Sequence, residues 1–193
     1  MTDLEHYIKT AFGNISEEEL TKIGDLFELK TLKKGDFFSE INKVCRQMCF
    51  IKSGLLRVYA LADGKDITQW IATKGYLGTD FASFFFNNRS RWYIQALTDS
   101  DLFIISKSDY LKISEILPEW PVLEKNFLVN CFTSVENRIF MHLSMSAEER
   151  YNLYFSQNKE LFNQVPLQFL ASMLGMTPET LSRIRKKATV PTS

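Results

Sequence analysis

The sequence predicts an α+β chain: two short helices, an antiparallel β jelly-roll barrel, a long helix and a C-terminal helix-turn-helix. Three observations predict it. Between Glu28 and Ser106, short runs of strand-forming residues alternate with Gly, Asp and Ser turn signals. From Pro121 to about Met145, apolar residues recur at helical spacing with no further glycine or proline. From Val165 to Lys187, two short amphipathic stretches flank one glycine.

Composition narrows the class. Of 193 residues, 45% are hydrophobic and 13% aromatic, with sixteen Phe, which suits a globular chain with a real core. A net charge of +0 argues against a protein that coats nucleic acid indiscriminately. The N-terminus lacks the basic start and apolar core of a signal peptide, and no apolar run is long enough to cross a bilayer, so a cytoplasmic location without membrane contact is expected. Cys45, Cys49 and Cys131 are odd in number and show no Cys-x-x-Cys spacing, which fits a reducing compartment. No metal site is expected from two histidines, His6 and His142, that flank the barrel. For the same reason a metal-dependent enzyme is not expected, and no catalytic residue is assigned.

The first helix is expected over Leu4 to Phe12, with Leu4, Tyr7, Ile8 and Ala11 on one face. Ser16-Glu17-Glu18-Glu19 is a capping box that opens the second, whose apolar face is Leu20, Ile23, Leu26 and Phe27. Strands follow at Leu29–Leu32, Met48–Ile51, Leu55–Ala60, Ile67–Ile71, Tyr93–Leu97 and Leu102–Ser106. Three hairpins are expected between them: at Lys52-Ser53-Gly54, at Asp63-Gly64 and through Thr98-Asp99-Ser100-Asp101. Phe81, Phe84, Phe85, Phe86 and Trp92 are expected to fill the barrel. Asp109 to Ile116 reads as a helix stopped by Pro118. In the long helix, Leu123, Phe127, Cys131, Val135 and Ile139 form a stripe too long for one small barrel to cover, so a two-fold homodimer through it is expected. Ser146 and Glu149 cap the next helix.

At the C-terminal end, Pro166 suits a first helical position. Leu167, Leu170, Ala171 and Leu174 make a buried face, and Gly175 tolerates the left-handed conformation that ends the helix. Thr177 caps the second helix, which turns Leu181 and Ile184 inward. Glu179, Ser182, Arg183 and Lys186 recur on its outer face, the residue types that read base edges and grip phosphates. A charged helix face alone is usually just solvated. The small Ala171, the turn glycine, the Thr-Pro cap and the inward Leu together point to a helix-turn-helix in a major groove.

This order of elements resembles the Crp/Fnr superfamily of transcription regulators over almost the whole chain. Leu32-Lys33-Lys34-Gly35-Asp36 is similar to the family's first barrel turn. Phe50-Ile51-Lys52-Ser53-Gly54-Leu55-Leu56-Arg57-Val58-Tyr59 is similar to its "I-x-x-G-x-x-R-V-Y" segment, and Thr177-Pro178-Glu179-Thr180-Leu181-Ser182-Arg183 to its recognition helix. The resemblance implies a cyclic-nucleotide-binding-like barrel domain with short N-terminal helices over 1–118, a dimerisation helix over 119–145 and a helix-turn-helix domain over 146–193. It implies that Glu179 accepts from cytosine and Arg183 donates to guanine, with Gln168, Thr177, Thr180, Ser182, Lys186 and Lys187 contacting phosphates. Pro178 stands where several members have a base-reading arginine, so the preferred site should differ. The strand that follows the recognition helix in the family is not expected here.

The family's cyclic AMP binders hold ribose with a Gly-Glu acid and phosphate with the arginine of Arg-Ser or Arg-Thr. Here the corresponding residues are Gly78, Thr79, Asp80, Arg89, Arg91 and Trp92, a poor match, so cyclic AMP is not an expected ligand and no cofactor is assigned. The cysteines do not match the family's iron–sulfur set. The expected function is a DNA-binding transcription regulator with an unidentified small-molecule effector, binding double-stranded DNA and engaging RNA polymerase. The alternative is an effector-binding or protein-interaction module that has lost specific DNA reading.

Overall fold

The computed structural model describes the backbone of residues 1–189 and side chains as far as Lys187. The expectation that no strand follows the last helix falls on 190–193 and lies outside the described residues.

Polar caps start the N-terminal helices. Thr2 begins α1 (Asp3–Phe12) and Ser16 begins α2 (Glu17–Gly24), each through a reciprocal capping box. The Glu5 and Glu19 carboxylates accept from the cap amides at 2.7 and 3.1 Å. The Thr2 box starts α1 one residue earlier than the apolar spacing predicts.

Among the described residues, eight strands form two antiparallel-paired sheets. They are β1 (Glu28–Leu32), β2 (Phe37–Ser39), β3 (Gln47–Ser53), β4 (Leu56–Ala62), β5 (Lys65–Ala72), β6 (Leu77–Gly78), β7 (Tyr93–Ala96) and β8 (Ser100–Ser106). One sheet has the order β1-β8-β3-β6, the other β2-β7-β4-β5. Two expected hairpins are therefore crossings. Lys52-Ser53-Gly54 carries the chain from β3 in one sheet to β4 in the other, and Leu97-Thr98-Asp99 does the same between β7 and β8. Asp63-Gly64 does turn a hairpin, with φ of 49° and 73°, the pair of left-handed residues that matches strand twist.

The crossings have a burial logic. Cys49 and Ile51 of β3, with Leu102 and Ile104 of β8, line the barrel interior beside Leu56 and Ile94. Met48 and Phe50 of β3, and Ile105 of β8, point to the opposite face. There they meet Leu4, Ile8 and Phe12 of α1 and Leu20 and Ile23 of α2. These central strands are covered on both faces, so their apolar runs are continuous rather than alternating.

The aromatic run expected inside the barrel forms α3 (Phe81–Phe86) instead. Phe84 is buried and Phe81 and Phe85 half-buried in the layer between sheet and helices, while Phe86 is 75% exposed and Trp92 half-buried. After α4 (Lys107–Ile116) the long helix α5 spans Trp120–Ser144, about 37 Å at 1.5 Å per residue. Then come α6 (Ala147–Gln157), the short α7 (Leu161–Gln164), α8 (Leu167–Met173) and α9 (Pro178–Thr189). Pro166 sits at the N-cap of α8, one residue before the expected helical position.

The chain divides into two compact units. One contains Met1–Ala60 with Trp70–Cys131; the other contains Leu61–Gln69 with the described residues from Phe132 onward. In the second unit, Tyr151, Phe155 and Phe162 pack ring against ring, beside buried Leu161, Val165, Leu170, Leu174, Leu181 and Ile184.

Gly54 is the least replaceable turn residue. Its φ is +89°, and an added Cβ would lie 2.2 Å from Ser100 Oγ and 2.6 Å from the Asp99 carbonyl oxygen. Gly54→Ala should cost at least ~2 kcal/mol through combined strain and backbone clash. Urea unfolding of the two proteins measures it, and equal midpoints would contradict the assignment.

Candidate nucleic-acid interface

The turn between α8 and α9 can be accounted for carbonyl by carbonyl. The Leu174 amide donates to Leu170 O, the Gly175 amide to Ser172 O, and the Met176 amide to Ala171 O, with Gly175 at φ +66°. The last two bonds are those of a Schellman end. This leaves the carbonyls of Met173, Leu174 and Gly175 pointing out of the helix end. Arg138 Nη2 of α5 donates to Met173 O at 3.1 Å. Arg150 of α6 donates from Nε to Leu174 O at 2.9 Å and from Nη2 to Gly175 O at 3.3 Å. Its Nη1 donates to Met145 O, just past α5, at 2.6 Å. Cations at a helix C-terminus also meet the negative end of its dipole. Neither arginine was singled out by sequence; the only signal was a basic residue in each of two helices that precede the motif.

Thr177 starts α9 as predicted: its Oγ1 accepts from the Thr180 amide at 3.2 Å and donates to Thr180 Oγ1 at 3.2 Å. Those two threonines are thus engaged with each other. Leu181 and Ile184 are buried. Outside, Glu179, Ser182, Arg183 and Lys186 are brought together with Pro178 around one shallow depression of about 530 Å³. The Glu179 carboxyl lies below the usual carboxylate range, held chiefly by its own backbone amide and then by Thr177. Arg183 and Lys186 are exposed, and Gln168 is exposed on α8. Lys187 is different: its Nζ bridges both oxygens of Glu148 at 3.1 Å. The Thr68 amide, within β5, donates to Ser172 Oγ of α8 at 2.9 Å.

Several of the predicted effector residues have partners within the chain. Asp80 is 5% exposed and caps α3, accepting from the Ser83 amide at 3.1 Å and from Ser90 Oγ at 2.8 Å. Ser83 Oγ accepts from the Cys45 amide and donates to Asn88 O, at 2.7 and 2.6 Å. Thr79 Oγ1 donates to Gln47 O, and a Cβ on Gly78 would lie 3.2 Å from Cys49 Sγ. Arg89 reaches the Asn42 carbonyl at 3.1 Å, and Arg91 lies over the Trp92 ring at 5.1 Å. The polar atoms of Asp80, Thr79 and Arg89 thus hold one segment to another. Burial pushes the Cys49 thiol well above its ordinary range, as expected of an inert core thiol, and raises that of half-buried Cys131 too.

The predicted dimer stripe divides. Leu123 and Phe127 pack onto the helical layer of their own chain, with Phe127 against Phe12 and Phe81 at ring distances of 4.8 and 6.2 Å. Cys131 is half-buried. Val135 and Ile139 are exposed, together with Val129, Phe132, Phe140 and Leu143, the last three at 63%, 69% and 81%. The stripe that faces outward is thus rotated from the one the spacing suggested.

Residues 29–116 match the family model of the cyclic nucleotide-binding domain. Among solved structures, FixK2 of Bradyrhizobium japonicum is 15% identical, with a TM-score of 0.72 over 83% of each chain. A Eubacterium rectale protein assigned to the crp/fnr family of transcriptional regulators is 21% identical, TM-score 0.65, over 90% of this chain and 83% of that one. The catabolite activator protein of Thermus thermophilus is 19% identical, TM-score 0.60, over 95% and 90%. Comparison with curated proteins gives no match. The chain has the fold of Crp/Fnr-type regulators. Among the described residues no helix is long and apolar enough to cross a membrane.

His142 supplies a pH test of the turn. It is half-buried, and Gly175 approaches so closely that an added Cβ would lie 3.1 Å from its ring. Burial first, then Arg138 and Arg150, lower its pKa below the ordinary 6.5. A lowered folded-state pKa favours the neutral ring, so its contribution is complete above about pH 6.5 and is lost as pH falls through the folded value. Thermal unfolding should shift downward between about pH 7 and pH 5, and His142→Gln should flatten that part of the profile. The lowered Glu149 and Glu179 carboxyls act only below about pH 4.5 and leave the window clear.

Proposed function

We propose that this chain is a homodimeric, DNA-binding transcription regulator whose α9 enters the major groove. The observation that carries the reading is the outer face of α9. One acid, one hydroxyl and two cations converge on a single depression, on a helix whose start is fixed by Thr177 and whose preceding turn is held by Arg138 and Arg150. Arg183 is the candidate for guanine and Glu179 for cytosine; Lys186 and Gln168 are candidates for phosphates. The barrel domain belongs to an effector-sensing architecture, but Asp80, Thr79 and Arg89 already have partners within the chain, so cyclic AMP is not proposed as the effector. RNA polymerase is the expected partner of such a regulator, in a cytoplasmic setting.

Two subunits would place their recognition helices about 34–36 Å apart on a near-palindromic operator. Arg183→Ala should then cost about 1–3 kcal/mol per half-site on the operator and leave scrambled DNA little changed. Lys186→Ala should weaken both DNAs alike and lower the salt slope by about 1; Lys187→Ala should lower it less, because Glu148 already neutralises that ammonium. Binding isotherms across a salt series decide this. Equal losses on both DNAs for Arg183→Ala would remove it from base reading.

The support for dimerisation is the set of exposed apolar side chains on α5, Phe132, Val135, Ile139, Phe140 and Leu143 among them, because clustered exposed apolar residues mark interaction surfaces. Sedimentation should give twice 22.4 kDa for the wild type and 22.4 kDa for Phe140→Asp or Leu143→Asp. A wild-type monomer at micromolar concentration would refute it.

A further inference from the structure

A groove of about 630 Å³ lies in the first unit, between α1 and the turn joining β5 to β6, away from the residues discussed above as effector candidates. Its volume suits a small molecule rather than a peptide. Ala11, Leu77 and Phe127, all half-buried, give it an apolar lining. Its polar rim carries Lys74 and Asp3, whose charged atoms are 3.6 Å apart and whose side chains are 62% and 53% exposed, with His6 and Thr10 beside them. That separation is too long for a charge-assisted hydrogen bond, which is typically about 2.7–2.9 Å, so each charge can exchange its partner for a better one. Tyr7 also lines the groove; it is 7% exposed, and its hydroxyl is buried without a hydrogen-bond partner among the described residues. It lies near the Lys74 ammonium, and Tyr7 first and then Asp3 hold that ammonium charged, above the usual lysine range.

We infer that this groove binds an α-amino acid with an apolar side chain, as its zwitterion. The ligand carboxylate takes Lys74 and its ammonium takes Asp3, replacing one loose ion pair with two close ones. The side chain lies on Leu77 and Phe127. A phosphate dianion fits poorly, because the Asp3 carboxylate stands beside the Lys74 ammonium and repels it. A simple organic acid would leave Asp3 without gain, and a simple amine would leave Lys74 so. The inference is independent of DNA reading, and its test uses no DNA.

The test is calorimetric titration of the full chain with L-phenylalanine, phenylacetate and phenethylamine. L-Phenylalanine should bind with half-saturation near ~1 mM, the range for so few ligand atoms. Phenylacetate and phenethylamine should each bind at least tenfold more weakly. Lys74→Met and Asp3→Asn, both at exposed positions, should each weaken L-phenylalanine at least tenfold while the melting temperature stays within a few degrees of wild type. No heat from L-phenylalanine at about ten times the expected half-saturation would overturn the site. Binding that both variants leave intact would place the ligand elsewhere and overturn it equally. Phenylacetate as tight as L-phenylalanine would remove the role of Asp3, and with it the amino-acid assignment.

Discussion

A helix that ends in a tight turn leaves carbonyl oxygens that the helix itself cannot satisfy, and the α8–α9 pair of this protein is arranged around that constraint. The Schellman bonds take the oxygens of Ala171 and Ser172. Arg138 and Arg150 take those of Met173, Leu174 and Gly175, and Arg150 also holds Met145. Guanidinium suits this task because its donors are fixed in one plane and its charge is permanent. The start of α9 therefore inherits its position from two side chains on α5 and α6. His142 against Gly175 fills the remaining space, which makes glycine necessary there on grounds of both conformation and room.

The barrel obeys a different constraint. Its central strands, β3 and β8, are buried on both faces, by the barrel interior on one side and by α1 and α2 on the other. A strand in that situation needs apolar residues at every position. This is why Met48, Cys49, Phe50 and Ile51 are all buried in succession. The N-terminal helices are therefore a second wall of the core rather than an appendage, and Phe127 extends that wall from α5.

Features written in adjacent residues were legible in the sequence. The Ser16 and Ser146 boxes, the Asp63-Gly64 turn, the Gly175 helix end and the buried face of Leu170, Ala171 and Leu174 rest on local chemistry, and the structure has them. Features that depend on distant partners were not. Lys52-Ser53-Gly54 has the residues of a hairpin loop, and only the pairing of β3 with β8 makes it a crossing. The strands β2 and β6 are too short to show a pattern. Phe81 to Phe86 looked like barrel filling because apolar bulk alone does not say which side of a sheet it covers; the Asp80 cap that makes it a helix is a single residue. At the candidate interface, Glu179, Ser182, Arg183 and Lys186 came together as their spacing required, whereas Arg138 and Arg150 act through backbone oxygens that carry no sequence signature. Lys187 likewise looked like a free cation until α6 supplied Glu148.

The cap on α3 has a consequence for how this barrel meets small anions. The Asp80 carboxylate is covalently tethered three residues from the amide it accepts, and Ser90 secures it from the far side of the loop. A tethered group competes at an effective concentration that a dissolved metabolite in the cell does not easily match. Any diffusible anion seeking that loop must displace a resident one and leave a buried carboxylate behind. The chain in effect carries its own occupant, and the loop around α3 is folded before anything binds.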